Sequence, residues 1–209
     1  MKVAALLIAD TTAVDVRIRG EALLTHALRG FGLSDHIDRV VVAAPPTAEP
    51  LVRTVSGCLL LPAGATRAES VRLAFEAAAS CDVFLVHDAA RAFVPPATIE
   101  AVIQAVCQGA EAVAPVLPVT DTVKLVGPDG VIAATEDRTR LRILQTPLGF
   151  AAKVLREACD AGLDPLSSPP GTVLPVPGHP NAIRLETPFD AAVAEALLRE
   201  ERDEESGRA

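Results

Sequence analysis

Tryptophan and tyrosine are absent from the 209 residues, and aromatic residues of any kind make up 3%. A surface that stacks unpaired nucleic-acid bases needs exposed rings, so that class of function is excluded and the core is left to valine, alanine and leucine. Positive charge is scarce as well. The net charge is −8, and no lysine occurs between Lys2 and Lys124. Phosphate backbones are held by clustered Lys and Arg, so neither DNA nor RNA is expected as a partner. Four cysteines (Cys58, Cys81, Cys107, Cys159) lie far apart with no Cys-x-x-Cys pair, and His26, His36, His87 and His179 are equally dispersed. That spacing supports neither a disulfide framework nor a zinc site, and no metal ligand is assigned. The one apolar run near the start, Val3 to Ala9, is too short for a membrane span and lacks a cleavage-site pattern. A cytoplasmic protein with no membrane partner is the expectation. No Gly-x-Gly-x-x-Gly follows the first apolar run, which disfavours a dinucleotide dehydrogenase.

What is present is an alternation of short apolar runs and helical stretches. Lys2–Ala9, Arg39–Ala44, Cys58–Leu61, Val83–Val86, Glu111–Pro118 and Asn181–Leu185 read as strands. Helical spacing falls over Glu21–Arg29 (stopping at Gly30), Arg67–Ala79, Pro96–Gln108, Phe150–Ala161 and from Phe189 onward. On the second of these, Ala68, Val71, Phe75 and Ala78 share a face. The alternation predicts an α/β fold, a doubly wound and mainly parallel Rossmann-like sheet. No repeat or internal boundary divides the chain, so residues 1–209 are expected to form a single domain. Asp164–Pro180, rich in Pro, Gly and Ser, reads as a loop. Residues 199–209, with three Arg against five acids, read as a flexible charged tail. One segment breaks the rhythm. Around 119–136, two alternating strands flank Gly127-Pro128-Asp129-Gly130 and form a protruding β-hairpin arm. A two-stranded ribbon is marginal alone, which points to a homodimer joined through the arm.

The chemistry gathers where Val83–Val86 ends on His87-Asp88-Ala89-Ala90-Arg91. In open parallel sheets ligands sit outside the carboxyl ends of the strands. An acid and a guanidinium placed there, separated by small residues, suit a phosphorylated small molecule and its metal; a helix-capping Asp paired with the Arg is the plainer alternative.

Several segments in order resemble the 2-C-methyl-D-erythritol 4-phosphate cytidylyltransferase family. They are Gly64-Ala65-Thr66-Arg67-Ala68-Glu69-Ser70-Val71, Val86 to Arg91, Pro118-Val119-Thr120-Asp121-Thr122-Val123-Lys124, Asp137-Arg138, Thr146-Pro147, and Asn181 to Leu185. The resemblance implies a nucleotide-diphospho-sugar transferase-like fold. It implies transfer of CMP from CTP to a methylerythritol phosphate with release of pyrophosphate, assisted by Mg²⁺. It also implies roles: Gly64 and Ser70 at the cytosine, Asp88 beside the ribose and metal, Arg184 as a catalytic cation with Asp88, and Arg91, Thr122, Arg138 and Thr146 around the acceptor phosphate. An arginine suits such a place because its planar group meets phosphate oxygens bidentately.

The first loop departs from the family pattern. A glycine-rich loop with an Arg and a Pro-Lys is expected after the first strand, its N–H groups cradling the triphosphate. Here Asp10 to Arg19 holds no glycine and no lysine, and carries Asp10 and Asp15, which repel a triphosphate; Arg17 and Arg19 are the only candidates to replace the lost cations. Further departures are Arg184 where the family has Lys, Ala65 where it has an acid, and Leu166 to Gly171 without a carboxylate. Three readings follow: a cytidylyltransferase of weakened activity; an inactive dimeric family member that binds a phosphorylated sugar or polyol, or other ligand, without turning over CTP; or a nucleotidyltransferase that takes a different nucleotide or acceptor through a rebuilt first loop.

Overall fold

The computed structural model describes residues 1–55 and 57–206, with side chains up to residue 199. In chain order the strands and helices are β1 (Val3–Ile8), α1 (Thr11–Asp15), β2 (Arg17–Ile18), β3 (Glu21–Ala22), α2 (Leu23–Gly32), β4 (Arg39–Ala44), α3 (Glu49–Val52), β5 (Cys58–Pro62), α4 (Arg67–Ala77) and β6 (Val83–Asp88). Then come α5 (Pro96–Cys107), β7 (Ala112–Pro118), β8 (Lys124–Val126), β9 (Ile132–Thr135), β10 (Arg142–Leu144), β11 (Leu148–Ala151), α6 (Ala152–Asp160), β12 (Val173–Pro177) and α7 (Pro188–Ser206).

β5, β4, β1 and β6 lie side by side and parallel, with β1 between β4 and β6. β11 runs antiparallel between β6 and β7. β7 also takes β10 antiparallel and β12 parallel, so Ala112 pairs with Phe150 on one side and Val173 on the other. All six residues of β1 are buried. Successive side chains of a strand face opposite sides of the sheet. Val3, Ala5 and Leu7 accordingly join a cluster with Leu24, Leu28 and Phe31 of α2 and Val102 of α5. Ala4, Leu6 and Ile8 join the opposite cluster with Val71 and Phe75 of α4 and Leu155 of α6. This two-sided burial confirms the doubly wound, mainly parallel α/β sheet. Among the described residues no helix is long and apolar enough to cross a membrane.

Several boundaries differ from the sequence reading. The helix expected to stop at Gly30 runs on to Gly32, because the turn is buried through Phe31. Residues Leu148–Ala151, expected partly as helix, are β11, since pairing with β6 and β7 outweighs helical spacing there. The expected loop Asp164–Pro180 contains β12; Pro175 and Pro177 are tolerated because it is an edge strand whose partner lies on one side only. Asn181–Leu185 is not a strand. Side chains hold it: Gln145 donates to the carbonyls of His179 and Ala182, and Arg91 also donates to Ala182. The arm pairs as expected over β8 and β9, which are exposed throughout. Helix α7, the closing helix expected from Phe189 onward, runs through residues 199–206 of the charged tail; residues 207–209 of that tail lie outside the described residues.

Candidate functional site

Four parallel strands end at the same edge of the sheet, and the loops leaving them enclose a hollow of about 330 Å³. Asp10 follows β1, Pro45 follows β4, Gly64 follows β5 and Asp88 closes β6, and Arg67, Ser70 and Arg184 also stand on the lining. The place is the crevice beyond the carboxyl ends of the strands where open α/β sheets bind ligands.

One wall is a shelf made by the entry to α4. Thr66 caps that helix, its hydroxyl accepting from the Glu69 N–H at 3.1 Å, while Glu69 reaches back to the Ala65 N–H at 2.8 Å. This is a variant of the capping box. The Ser70 hydroxyl is buried, accepts from the Gly64 N–H at 2.9 Å and donates to the Thr66 carbonyl at 3.1 Å. A Cβ at Gly64 would lie 2.6 Å from Cγ of Glu69, so the shelf requires glycine there. Arg67 faces outward to the loop after α6, with Nε donating to Asp164 at 2.8 Å and Nη2 to Ser167. Burial works against the Asp164 charge, but the bonds from Arg67 and Ser167 prevail and hold its pKa below the ordinary value.

The facing wall is a guanidinium held by carboxylates. Arg184 donates through Nε to Asp88 at 2.6 Å and through Nη2 to Asp10 at 3.3 Å, and its Nη1 is paired with Glu186. Asp88 is 14% exposed and Arg184 28%. Asp88 is fixed further by the Ala90 N–H, which donates to its other carboxylate oxygen at 3.0 Å.

Beneath Asp88 lies a buried relay. The Asp88 N–H donates to the Thr146 hydroxyl at 3.3 Å, and that hydroxyl lies 2.9 Å from Nδ1 of His87. The buried hydroxyl proton needs an acceptor, which assigns it to Nδ1 and leaves the ring proton on Nε2. Nε2 has no hydrogen-bond partner of normal geometry among the described residues, and the ring packs 4.6 Å from Phe31. Burial pushes the His87 pKa down to about 3, with Asp88 opposing the shift and Arg91 adding to it.

The predicted residues therefore divide into three groups. Gly64, Ser70, Asp88 and Arg184 line one hollow. Arg91 and Thr146 stand behind that lining: Arg91 donates to the carbonyls of Ala182 at 2.7 Å and Leu144 at 3.2 Å, so it anchors the segment carrying Arg184. Burial lowers its pKa from the ordinary arginine value. Thr122 and Arg138 do not line the hollow; they sit at the base of the arm, where Arg138 donates to the Thr120 carbonyl. Arg17 and Arg19 also lie off the hollow, and so does Asp15. Of the charged residues on the lining, two were not proposed as site residues from the sequence, Asp10 and Arg67. Asp10 carried the same signal as Asp88, an acid directly after a buried apolar run.

A parallel sheet with one antiparallel strand let into it, and a glycine shelf facing an arginine between carboxylates, define an α/β protein of the nucleotidyltransferase-like class. Residues 9–200 match the family described as 2-C-methyl-D-erythritol 4-phosphate cytidylyltransferase, IspD, and the chain belongs to that family. A relative of that name from Saccharopolyspora erythraea is 46% identical over 201 residues, covering 88% of this chain and 89% of its own. One from Rhodococcus jostii is 39% identical, covering 88% of this chain and 86% of its own. The crystal structure of the enzyme of that name from Thermus thermophilus is 35% identical with a TM-score of 0.79, covering 95% of this chain and 100% of the other. That of a 4-diphosphocytidyl-2C-methyl-D-erythritol synthase is 29% identical with a TM-score of 0.81 and the same coverage.

Proposed function

We propose that the chain transfers CMP from CTP to 2-C-methyl-D-erythritol 4-phosphate, at a rate far below that of a family member with an intact first loop. The observation that carries this reading is the Arg184–Asp88 pair facing the Gly64–Ser70 shelf. In this scheme an oxygen of the acceptor phosphate bonds to the α-phosphorus of CTP as the bond to the β-phosphate bridging oxygen breaks, and pyrophosphate leaves. Arg184 meets the charge that builds at the α-phosphate, and Asp88 orients it. Gly64 and Ser70 shape the base shelf. Arg91 and Thr146 support the acceptor side from behind the lining, and Thr122 and Arg138 serve the acceptor phosphate from the arm.

The donor set suits Mg²⁺. Asp88 offers a hard carboxylate oxygen on the lining of the hollow, and this ion commonly takes one or two carboxylates from the protein when phosphates supply further ligands. Among the described residues no group of three or more His, Cys, Asp or Glu side chains stands ready to hold a metal without such help. When bound, the ion neutralises phosphate charge.

The low rate follows from the first loop. Removing one charge-stabilising group commonly costs about 10² to 10³ in rate, and here the loop contributes a short helix capped by a carboxylate. That same observation favours the second reading, a protein that binds a phosphorylated sugar or polyol without turnover of CTP. We further propose that the protein is a cytoplasmic homodimer of single-domain subunits joined through the arm, where Leu125, Val126, Val131 and Ile132 are 47–62% exposed.

The test is pyrophosphate release by the purified chain with CTP, Mg²⁺ and the acceptor. Slow release that depends on the acceptor and is lost in Asp88→Asn is expected. Release no faster than a protein-free blank, together with calorimetric binding of the acceptor, would establish the second reading instead.

A further inference from the structure

Asp10 stands on the lining of the hollow, 51% exposed, just past the end of β1. Both of its carboxylate oxygens are engaged. One accepts from the Ala13 N–H at 3.1 Å, which covers the amide that α1 would otherwise turn toward an anion. The other accepts from Arg184 at 3.3 Å, a guanidinium already bonded to Asp88 and paired with Glu186. The second cation of the lining, Arg67, is bonded to Asp164 and Ser167. Among the described residues every cation lining the hollow is thus matched by a carboxylate, and Arg184 alone answers to three. A polyphosphate entering this space finds no uncommitted positive charge on the lining and meets Asp10 as a uniform repulsion. A neutral nucleoside meets no such penalty, and a monophosphate meets less of it.

We propose that Asp10 is a specificity-determining residue that sets the hollow against polyphosphates and makes nucleosides and nucleoside monophosphates its better ligands. The proposal rests on reading the hollow as the nucleotide site. It goes beyond the missing glycine loop, because it assigns the discrimination to one side chain that can be changed.

Asp10→Asn removes the charge while keeping an oxygen to accept from the Ala13 N–H, and Asp10→Ser supplies a second capping side chain. Calorimetry in EDTA compares the parent chain with both variants, using inorganic triphosphate, cytidine, CMP and CTP as probes. Unit charges about 6 Å apart at an effective dielectric of about 40 repel by about tenfold in binding. Both variants are therefore expected to bind inorganic triphosphate about tenfold more tightly than the parent, with cytidine affinity unchanged. The parent is expected to bind CMP at least as tightly as CTP. Equal triphosphate affinity in parent and variants of matched melting temperature overturns the proposal, as does triphosphate binding to none of the three. A parent preference for CTP over CMP overturns it too. Failure of cytidine to bind any of the three overturns the nucleoside reading of the hollow, while the triphosphate comparison still decides the role of Asp10.

Discussion

Acidification below neutrality is expected to destabilise the fold through one side chain, His87. Its ring is fully buried beside Phe31, its Nε2 lacks a hydrogen-bond partner of normal geometry among the described residues, and burial pushes its pKa down to about 3. In the unfolded chain the imidazole titrates at its ordinary value of about 6.5. Between these two values the unfolded chain binds a proton that the folded chain refuses, so stability falls as pH falls from about 6.5 toward 3. The slope approaches about 1.4 kcal/mol per pH unit, giving a loss of about 2 kcal/mol at pH 5 relative to pH 8. For a domain of this size that is a fall in melting temperature of roughly 4–8 °C. The assay is thermal melting at pH 8.0, 6.5, 5.5 and 5.0 in the parent chain and in His87→Gln. The variant is expected to melt lower than the parent at pH 8 because its fit against Phe31 is poorer. It should nevertheless lack the added loss between pH 6.5 and 5. Asp164, whose pKa is lowered from 3.8, and Glu21, lowered from 4.5 by its bond from Arg29, lose their contributions mainly as pH falls below that range, and the difference between parent and variant isolates the histidine. An identical pH slope in parent and variant would refute the reasoning.

Gly149→Ala should cost about 1–3 kcal/mol, because the new Cβ would lie 2.5 Å from Cγ1 of Val102 and 2.9 Å from Cγ2 of Val106 in a packed core; an unchanged denaturant midpoint would show that α5 can yield. Arg91→Met removes the donor to the Leu144 carbonyl and one of two donors to the Ala182 carbonyl. A loss of about 1–3 kcal/mol is expected, with faster hydrogen exchange at the Leu185 amide, and protection at parental levels would mean that Gln145 holds the segment without help. Ile132→Asp places a charge on the exposed arm, and sedimentation should report a monomer where the parent sediments as a dimer; a parent chain that is already monomeric ends the arm proposal.

Much of the architecture could be read from residue order because burial on both faces leaves a local trace. β1 is an uninterrupted apolar run, β4 and β6 each contain one (Val40–Ala44 and Val83–Val86), and the two faces of β1 separate into the two core clusters with the strict alternation of a strand. The acid closing β6 was legible for the same reason: a polar residue directly after such a run lies at the rim of the sheet. The strands around β7 left no such trace. β10 and β12 are short, exposed or proline-bearing, and they are strands because β7 offers them unpaired backbone groups. The environment of Arg184 was equally hidden. Its segment was expected to be a strand, yet Gln145 and Arg91, 37 and 91 positions from Ala182 along the chain, hold it as an irregular loop. Asp10 and Arg184 meet across 174 positions. Local periodicity reports which side chains leave water, because burial repeats with the geometry of the element. Which charges then neutralise one another depends on the order of strands in the sheet, and that order is set by packing between segments distant in the chain.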